Sequence, residues 1–255
     1  MVGMRIIGVI PSRWGSTRFP GKSLAPICGK PLVTWVVEAC LKAKSLTEVV
    51  VATDDERIAK VVEGTGARAV MTRPDHPSGT DRVAEAAQAA DEDIVVNIQG
   101  DEPLILPEII EEITQALIDS PDYPMATGCY RLPGDADLFR NENVVKVVFD
   151  KDGSALYFSR SPIPFPRKGD SFAAYEHIGI YAYRKDFLMR YITLPETHLS
   201  RTESLEQLRA LEHGYRIKVA PTRFAYNALS VDTQEDLDAV TAILKERKEK
   251  EVDSP

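Results

Sequence analysis

The sequence predicts an α/β fold, and three observations support this class. Short apolar runs alternate with helical patterns through the first half of the chain, which is typical of βαβ units around a parallel sheet. The hydrophobic residues make up 44% of the 255 residues, enough to build a full core. No stretch has the composition of an interdomain linker. We therefore expect a single domain over residues 1–255.

The first half of the chain predicts four strands, each with a helix after it. The strands are expected at 5–10, 48–53, 67–71 and 94–99, and the helices at 31–43, 55–64, 79–90 and 107–119. Pro11 should end the sheet hydrogen bonding of the first strand, because proline has no N–H to donate. The last of these helices has one apolar stripe and should cover the sheet. The stripe is formed by Ile109, Ile113, Ala116 and Leu117.

The second half begins with longer extended segments. MATGCYR, NVVKVVFD, SALYFSR and HIGIYAYR follow residue 125, with a proline-rich stretch at 162–166. This pattern predicts a mixed sheet or a protruding arm. An arm of this kind could pair with a second subunit, and an internal antiparallel ribbon explains it equally well. Helices are expected again at 202–213 and 233–248, around a strand at 215–220.

Composition limits the class of partner. The 31 basic and 39 acidic residues give a net charge of −8, which argues against nucleic-acid or anionic-membrane binding. The apolar run before Pro11 is too short for a signal peptide, and no run has transmembrane length, so we expect a cytoplasmic protein with no membrane partner. Cys28, Cys40 and Cys129 lack metal-site spacing, and we expect reduced, partly buried thiols.

The segment RIIGVIPSRWGSTRFPGK at residues 5–22 carries the first functional signal. An apolar strand runs into a loop with basic residues and small residues, namely Arg13, Arg18, Lys22, Gly15, Ser16 and Gly21. Ligands of α/β sheets bind at the carboxyl ends of strands, and small residues let backbone N–H groups approach phosphate oxygens. The segment predicts a polyphosphate site, although a solvated basic loop would have a similar composition.

Two common phosphate motifs do not fit this loop. Gly15 and Gly21 have five residues between them, whereas a Walker A loop has four. The segment also lacks the G-x-G-x-x-G spacing of dinucleotide-binding loops. A P-loop NTPase and a hydride-transfer enzyme are therefore disfavoured.

Two acidic motifs follow apolar runs. NIQGDEP at residues 97–103 places Asp101 and Glu102 after a strand, where they could hold Mg²⁺ through hard oxygen ligands or simply form a turn. SVDTQEDL at 230–237 places Asp232 before a helix. Local sequence favours a cap there, with Asp232 or Thr233 at the N-cap and Glu235 or Asp236 closing a capping box.

Further polar residues lie in three other motifs. HPSGTDR at 76–82 could place Ser78, Gly79, Thr80 and Arg82 near a base or sugar, and Ser78 with Asp81 also fits a capping box. LYFSRSPIP puts Arg160 after a strand, and SLEQLRALEHG carries Glu206 and Gln207 beside a leucine stripe.

The segment HIGIYAYR carries alternating polar and aromatic positions. His177, Gly179 and Tyr181 share one strand face. That face would suit a sugar acid, or it is an ordinary half-buried strand face.

Taken in order, these motifs resemble one known family. IPSRWGSTRFPGK, HPSGTDR, VVNIQGDEPLI, NVVKVVFD, ALYFSRSPIP, HIGIYAY, LEQLRALEHG and VDTQEDL resemble the 3-deoxy-manno-octulosonate cytidylyltransferases, the CMP-Kdo synthetases of bacterial lipopolysaccharide synthesis. The resemblance implies a three-layer α/β/α nucleotidyltransferase (Rossmann-like) fold with a mixed central sheet and an extended dimerisation segment. It also implies a homodimer and Mg²⁺ dependence. The implied reaction joins CTP and 3-deoxy-D-manno-octulosonate (Kdo) to give CMP-Kdo and pyrophosphate.

The resemblance also implies roles for individual residues. Arg13 and Lys22 match triphosphate contacts and act with Asp101 in catalysis, and Asp101 and Asp232 match the metal-binding aspartates, against the cap favoured locally at Asp232. The nucleotide-binding set is Arg13, Ser16, Lys22, Ser78, Gly79 and Arg82. The sugar-acid set is Gln99, Arg160, His177, Tyr181, Glu206 and Gln207.

Two departures from the family pattern concern the sugar. Ser230 stands where many relatives have Gly, and the stretch 194–204 is abbreviated. An 8-amino analogue of Kdo is therefore an alternative substrate. Another sugar acid such as sialic acid is a separate alternative, against which the SGTDR and FSRSPIP segments argue. A non-catalytic nucleotide-binding protein is an alternative of another class.

Overall fold

The computed structural model describes residues 4–15, 19–132, 136–167, 173–226 and 229–252. The chain divides into two compact units, Met1–Pro107 with Tyr226–Pro255, and Glu108–Ala225. The expectation of one domain over residues 1–255 stays a prediction.

The first unit is built on a parallel sheet. Its strands are β1 (Ile6–Ser12), β4 (Glu48–Thr53), β5 (Arg68–Met71) and β6 (Ile94–Asn97), and two short strands, β2 (Pro26–Ile27) and β3 (Lys30–Pro31), form a separate pair. The four long strands pair in the order β6, β1, β4, β5, all parallel. This confirms the predicted βαβ alternation.

Helices accompany this sheet. They are α1 (Leu32–Lys42), α2 (Glu56–Val62), α3 (Gly79–Ala87) and α9 (Gln234–Val252), with a 3₁₀ turn at Lys22–Leu24. The central strand β1 is apolar on both faces, and Ile7, Val9 and Ile10 are fully buried, as expected for a strand covered on both sides.

Two boundaries in this unit differ from prediction. Strand β1 does not end before Pro11, because Pro11 and Ser12 continue in parallel register with Ala52 and Thr53 of β4. The missing N–H of proline removes one donor while the remaining groups keep the pairing. Helix α9 also continues beyond its predicted end at residue 248, to Val252.

The second unit contains a mixed sheet. Its strands are β7 (Met125–Arg131), β8 (Lys146–Phe149), β9 (Ala155–Ser159), β10 (Tyr175–Arg184) and β11 (Ile217–Pro221). Strand β7 pairs parallel with β11 and antiparallel with β10, while β8 pairs antiparallel with β9 and β10. The mixed α/β class, with a sheet flanked by helices, is confirmed.

The helices of this unit are short apart from the first. They are α4 (Pro107–Ile118), α5 (Ala136–Arg140), α6 (Lys185–Tyr191), α7 (His198–Glu203) and α8 (Gln207–Glu212). In α4, Ile109, Ile113 and Leu117 of the predicted stripe are buried.

The helix predicted at 202–213 is wrong. Ser204 has a φ of 52° and separates α7 from α8, and the N–H of Leu205 donates to the carbonyl of Ser200. This is a Schellman ending, which usually has glycine at the left-handed position. Because serine occupies this position, the sequence lacks the glycine that would have indicated the end of α7.

The three cysteines are free thiols, as predicted, and Cys40 and Cys129 are buried. Burial raises the pKa of Cys129 to about 12. No helix in the described ranges has both the length and the apolar character needed to cross a membrane.

Candidate functional site

The order of the strands in the first unit creates a crevice at one sheet edge. The chain passes from β1 to β4 and β5 and then returns to β6 on the other side of β1. Loops that follow β1 and β6 therefore diverge from the same carboxyl edge, the usual ligand position in α/β sheets. Arg13 follows β1, and Gln99 and Asp101 follow β6.

A cavity of about 340 Å³ occupies this edge. It is lined by most of the predicted nucleotide and metal residues, together with polar residues that sequence reading did not select. The predicted residues in its wall are Arg13, Lys22, Ser78, Gly79, Arg82, Gln99, Asp101 and Asp232. Ser16 lies outside the described residues. The structure thus brings together segments that are far apart in the sequence.

Lys22 lies between two carboxylates in this cavity. Its Nζ donates to Asp101 Oδ2 at 2.6 Å and to Asp232 Oδ1 at 3.0 Å. Burial opposes the charged ammonium, but the attraction of Asp101 and Asp232 outweighs it, so the pKa of Lys22 is raised. A cation therefore already bridges the two aspartates.

Backbone contacts hold both aspartates in position. The N–H of Val231 donates to the carbonyl of Asp101 at 2.9 Å, and Lys22 Nζ donates to the carbonyl of Val231 at 3.0 Å. A Cβ added at Gly100 would lie 2.5 Å from the carbonyl oxygen of Pro11. Glycine is therefore required where β1 passes the loop that carries Asp101.

The helix cap and the candidate metal ligand at 232–233 are adjacent residues. Thr233 Oγ1 accepts from the N–H of Asp236, and Asp236 Oδ2 accepts from the N–H of Thr233, which is a capping box. Capping therefore falls to Thr233, and the carboxylate of Asp232 turns to Lys22.

The donor chemistry of this pair fits a magnesium ion. Asp101 and Asp232 offer oxygen ligands around one cation, and Mg²⁺ at nucleotide sites is commonly held by one or two carboxylates plus substrate phosphates. Among the residues that the structure describes, no group of three or more His, Cys, Asp and Glu side chains could hold a metal.

Trp14 and Gly21 contact each other at the two ends of the loop that follows β1. The N–H of Gly21 donates to the carbonyl of Trp14 at 3.1 Å, and Gly21 has a φ of 71°. A Cβ at Gly21 would lie 2.8 Å from the Trp14 ring. The Arg57 guanidinium lies 3.3 Å from the centre of the same ring.

The segment 78–82 begins α3. Ser78 caps the helix by accepting from the N–H of Asp81, and its hydroxyl donates to Asp81 Oδ2 at 2.5 Å. The predicted cap at Ser78 is therefore confirmed, while the described residues lack the reciprocal backbone bond of a capping box. Arg82 is 3% exposed and donates to Asp54 Oδ2 at 3.0 Å and to Thr72 Oγ1 at 2.6 Å. Asp54 also accepts from the N–H of Trp14. Through Asp54, Arg82 thus connects α3 to Trp14 at the start of the loop that follows β1.

Sequence reading missed His76, which also lines the cavity. Its Nε2 contacts Glu85 Oε2, and its Nδ1 is buried with no hydrogen-bond partner in the described residues. Burial opposes the charge on Glu85, but His76 and the N–H of Arg73 outweigh it, so the pKa of Glu85 is lowered. The spacing of His76 and Glu85 gave no signal, because their contact depends on how the loop meets α3.

In the second unit, His177 and Tyr181 lie on β10. Their ring centres are 5.4 Å apart, so the predicted shared face is confirmed. The register shifts between Ile178 and Tyr181, and Thr127 Oγ1 lies 2.8 Å from His177 Nε2. Burial lowers the pKa of His177 to about 3, so the ring is neutral at physiological pH.

Arg160 follows β9 in the same unit. Its Nε donates to the carbonyl of Glu203 at 2.8 Å, and its Nη1 donates to the carbonyl of Glu142 at 3.0 Å. Both acceptors are neutral. The guanidinium has no carboxylate within ion-pair distance in the described parts of the chain.

Glu206 and Gln207 lie at the start of α8. Gln207 is 2% exposed, and its Nε2 is buried without a partner among the described residues. The carbonyl of Glu206 accepts from the hydroxyl of Tyr191 at 2.6 Å. A buried amide donor without an acceptor is costly, which favours a polar ligand at Gln207.

Comparisons with known proteins identify the family to which the sequence is similar. A family model described as cytidylyltransferase matches residues 7–217. A 3-deoxy-manno-octulosonate cytidylyltransferase of Geobacter sulfurreducens is 50% identical and covers 95% of this chain and all of its own. One from Solibacter usitatus is also 50% identical, with coverage of 94% and 95%.

Two solved structures are also similar to this chain. A CMP:2-keto-3-deoxy-manno-octonic acid synthetase complexed with CTP has a TM-score of 0.90 at 42% identity, over 95% of this chain and 99% of its own. A nucleotidyl transferase from Methanothermobacter thermautotrophicus has a TM-score of 0.63 at 17% identity, over 96% of this chain and all of its own. The second match shows a common fold alone.

Proposed function

The chain belongs to the 3-deoxy-manno-octulosonate cytidylyltransferase family, and from this premise we propose that it transfers CMP from CTP to Kdo, releasing pyrophosphate. The observation that carries the proposal is the convergence of Lys22, Asp101 and Asp232 within hydrogen-bond distance in a cavity that Arg13 also lines. These groups supply two carboxylates for a metal and two cations for phosphate.

The reaction is a displacement at the α-phosphorus of CTP. The anomeric hydroxyl oxygen of Kdo forms the new P–O bond, its proton leaves, and the bond to the β-phosphate oxygen breaks. Negative charge grows on the transferred and leaving phosphates, and Lys22 and Arg13 stabilise it. Ser78 and Gly79 at the start of α3, with Arg82, support the nucleotide.

We propose Mg²⁺ as the cofactor, held by Asp101 and Asp232. When bound, Mg²⁺ neutralises phosphate charge and lowers the pKa of a coordinated hydroxyl. With Asp101 and Asp232 holding the ion, the Lys22 ammonium would be available to pair with the triphosphate. Removal of Lys22 or Asp101 should cost roughly 2.7–4 kcal/mol of transition-state stabilisation, as for other single charge-stabilising donors.

For the sugar, we propose that Arg160 binds the carboxylate of Kdo. Its unpaired charge and the donors that its two carbonyl contacts leave over support this role, since five N–H groups are available on a guanidinium. The other residues of the sugar-acid set would bind hydroxyl groups, namely His177, Tyr181, Glu206, Gln207 and Gln99. We also propose a cytoplasmic homodimer.

The test measures pyrophosphate release by the purified protein with CTP and Mg²⁺. Kdo, 8-amino-Kdo and N-acetylneuraminate are compared, with controls that lack sugar or contain EDTA. We expect metal-dependent release with Kdo as the preferred acceptor. Preference for 8-amino-Kdo would change the substrate, and release only with N-acetylneuraminate would overturn the proposed sugar. A folded protein that binds CTP and releases nothing would be a non-catalytic nucleotide-binding protein.

A further inference from the structure

Lys146 is a fully buried lysine that the reaction above does not use. It interrupts the apolar run NVVKVVFD at the start of β8 and is 0% exposed. Its Nζ donates to the carbonyls of Asn141 at 2.8 Å, Val144 at 2.5 Å and Arg160 at 2.5 Å. An ammonium has three N–H donors, so its capacity is fully used by main-chain oxygens.

The three carbonyls belong to two parts of the chain that determine the position of Arg160. Asn141 and Val144 bracket Glu142, whose carbonyl accepts from Arg160 Nη1. The third carbonyl belongs to Arg160 itself. One ammonium therefore ties the main chain of Arg160 to the segment that orients its guanidinium.

Glu203 completes the arrangement on the other side. Its carboxylate accepts from the N–H of Arg160 at 2.9 Å and from Ser159 Oγ at 2.6 Å, and its carbonyl accepts from Arg160 Nε. The acceptors on the guanidinium are carbonyls, so they fix its direction while its full charge stays available to an anion. A carboxylate paired with the guanidinium itself would compete with the substrate.

We propose that Lys146 is a positioning residue for Arg160, which fixes the guanidinium in the direction required to bind the carboxylate of the sugar acid. Glu203 serves the same purpose from the opposite side. The inference rests on the role proposed for Arg160. Neither residue needs to contact the substrate, because each acts through the main chain and the carbonyls around Arg160.

The consequence of removing the ammonium follows from its geometry. Methionine in place of Lys146 fills a similar volume but leaves three buried carbonyls without their donor. The segment around Glu142 and the carbonyl of Arg160 would then relax, and the guanidinium would lose its fixed direction. Small displacements of this kind reduce binding strongly when a bidentate contact is required.

The experiment measures KM for Kdo, KM for CTP, kcat and the melting temperature of the full chain with Lys146→Met. We expect KM for Kdo to rise at least tenfold, whereas KM for CTP changes less than twofold. Lys218→Met is the matched control, because Lys218 Nζ also donates to a carbonyl of the second unit, that of Asp152. Its KM for Kdo should equal that of the wild type.

A double-mutant cycle with Arg160→Ala separates positioning from general support. In the Arg160→Ala background, Lys146→Met should change KM for Kdo less than twofold, since the group that it orients is absent. Equal effects in both backgrounds, or equal losses for CTP and Kdo, would overturn the inference. If Lys146→Met does not fold, Glu203→Gln takes its place in the same cycle.

The outcomes also separate this inference from the role of Arg160. A normal KM for Kdo in Arg160→Ala would overturn both. A raised KM in Arg160→Ala together with a wild-type KM in Lys146→Met would overturn the inference alone and leave the substrate contact of Arg160 in place.

Discussion

At the scale of single residues, Lys22 relieves a repulsion that two adjacent carboxylates would otherwise create. Asp101 and Asp232 both accept from its Nζ, and their side chains are only 27% and 28% exposed. Water therefore screens them incompletely. In the structure, the Lys22 ammonium supplies the cation between them.

Lys22→Met tests this point without nucleotide. The variant should melt at a lower temperature than the wild type, and Mg²⁺ should raise its melting temperature more than that of the wild type, because the divalent ion can replace the ammonium. With substrates, kcat should fall about 10²–10³-fold. Lys60→Met, at an exposed position, is the control. If Mg²⁺ raised the melting temperature of Lys22→Met no more than that of the wild type, the ion-pair argument would be contradicted.

His177 gives the expected dependence of stability on pH. Its pKa of about 3 in the folded chain lies below the ordinary value near 6.5. Between these values the unfolded chain binds a proton that the folded chain does not. The free energy of unfolding should therefore fall as pH falls from 6.5, by up to about 1.4 kcal/mol per pH unit from this residue.

Urea unfolding measures this contribution. The wild type and His177→Gln are compared at pH values from about 4 to 7, which cover most of the interval between the two pKa values. The difference in free energy of unfolding between the two proteins should change with pH across this range. A pH-independent difference for His177→Gln would contradict the lowered pKa.

At the scale of elements, the carboxyl ends of β1 and β6 decide where the chemistry lies. Apolar runs that end in polar loops allowed this edge to be predicted, and Arg13, Lys22 and Asp101 lie there. The rest could not be predicted, because it depends on side chains that meet through space. Lys146 was visible as a charge within an apolar strand, but its three carbonyl partners were not.

Gly100→Ala tests the packing of these two ends. The new Cβ would lie 2.5 Å from the carbonyl oxygen of Pro11, so the loop with Asp101 must move. Unfolding in urea should show a loss of about 1–3 kcal/mol, and kcat should fall. Gly64→Ala is the matched control, because the nearest atom to its Cβ is 3.8 Å away. Equal stability of the two variants would contradict the close approach.

At the scale of the whole molecule, the chain carries a net charge of −8, and a few of its cationic side chains lie where phosphate and carboxylate are proposed to bind. Arg13 and Lys22 line the cavity of the first unit, and in the second unit the guanidinium of Arg160 donates to two neutral carbonyls. A negative protein that binds anions must concentrate positive charge locally. The composition therefore agrees with two small-molecule anions as substrates.

The proposed homodimer is tested at this scale through Phe165. This side chain is 83% exposed in the proline-rich stretch, where a partner subunit would bury it. Phe165→Asp should shift the protein toward monomer in sedimentation velocity at low concentration. Phe224→Asp, at a residue that is 41% exposed, is the control. A wild-type protein that is monomeric throughout would overturn the dimer.

The bridge formed by Lys22 also bears on the order in which ligands bind. Its ammonium can leave the two aspartates only if another anion receives it, and the aspartates can lose it only if another cation arrives. With the Mg²⁺ role proposed above, the magnesium complex of CTP would supply in one binding event both a cation for the aspartates and an anion for Lys22. Initial-rate kinetics should therefore depend on the concentration of the MgCTP complex, with free Mg²⁺ and free CTP each unable to saturate the site by itself.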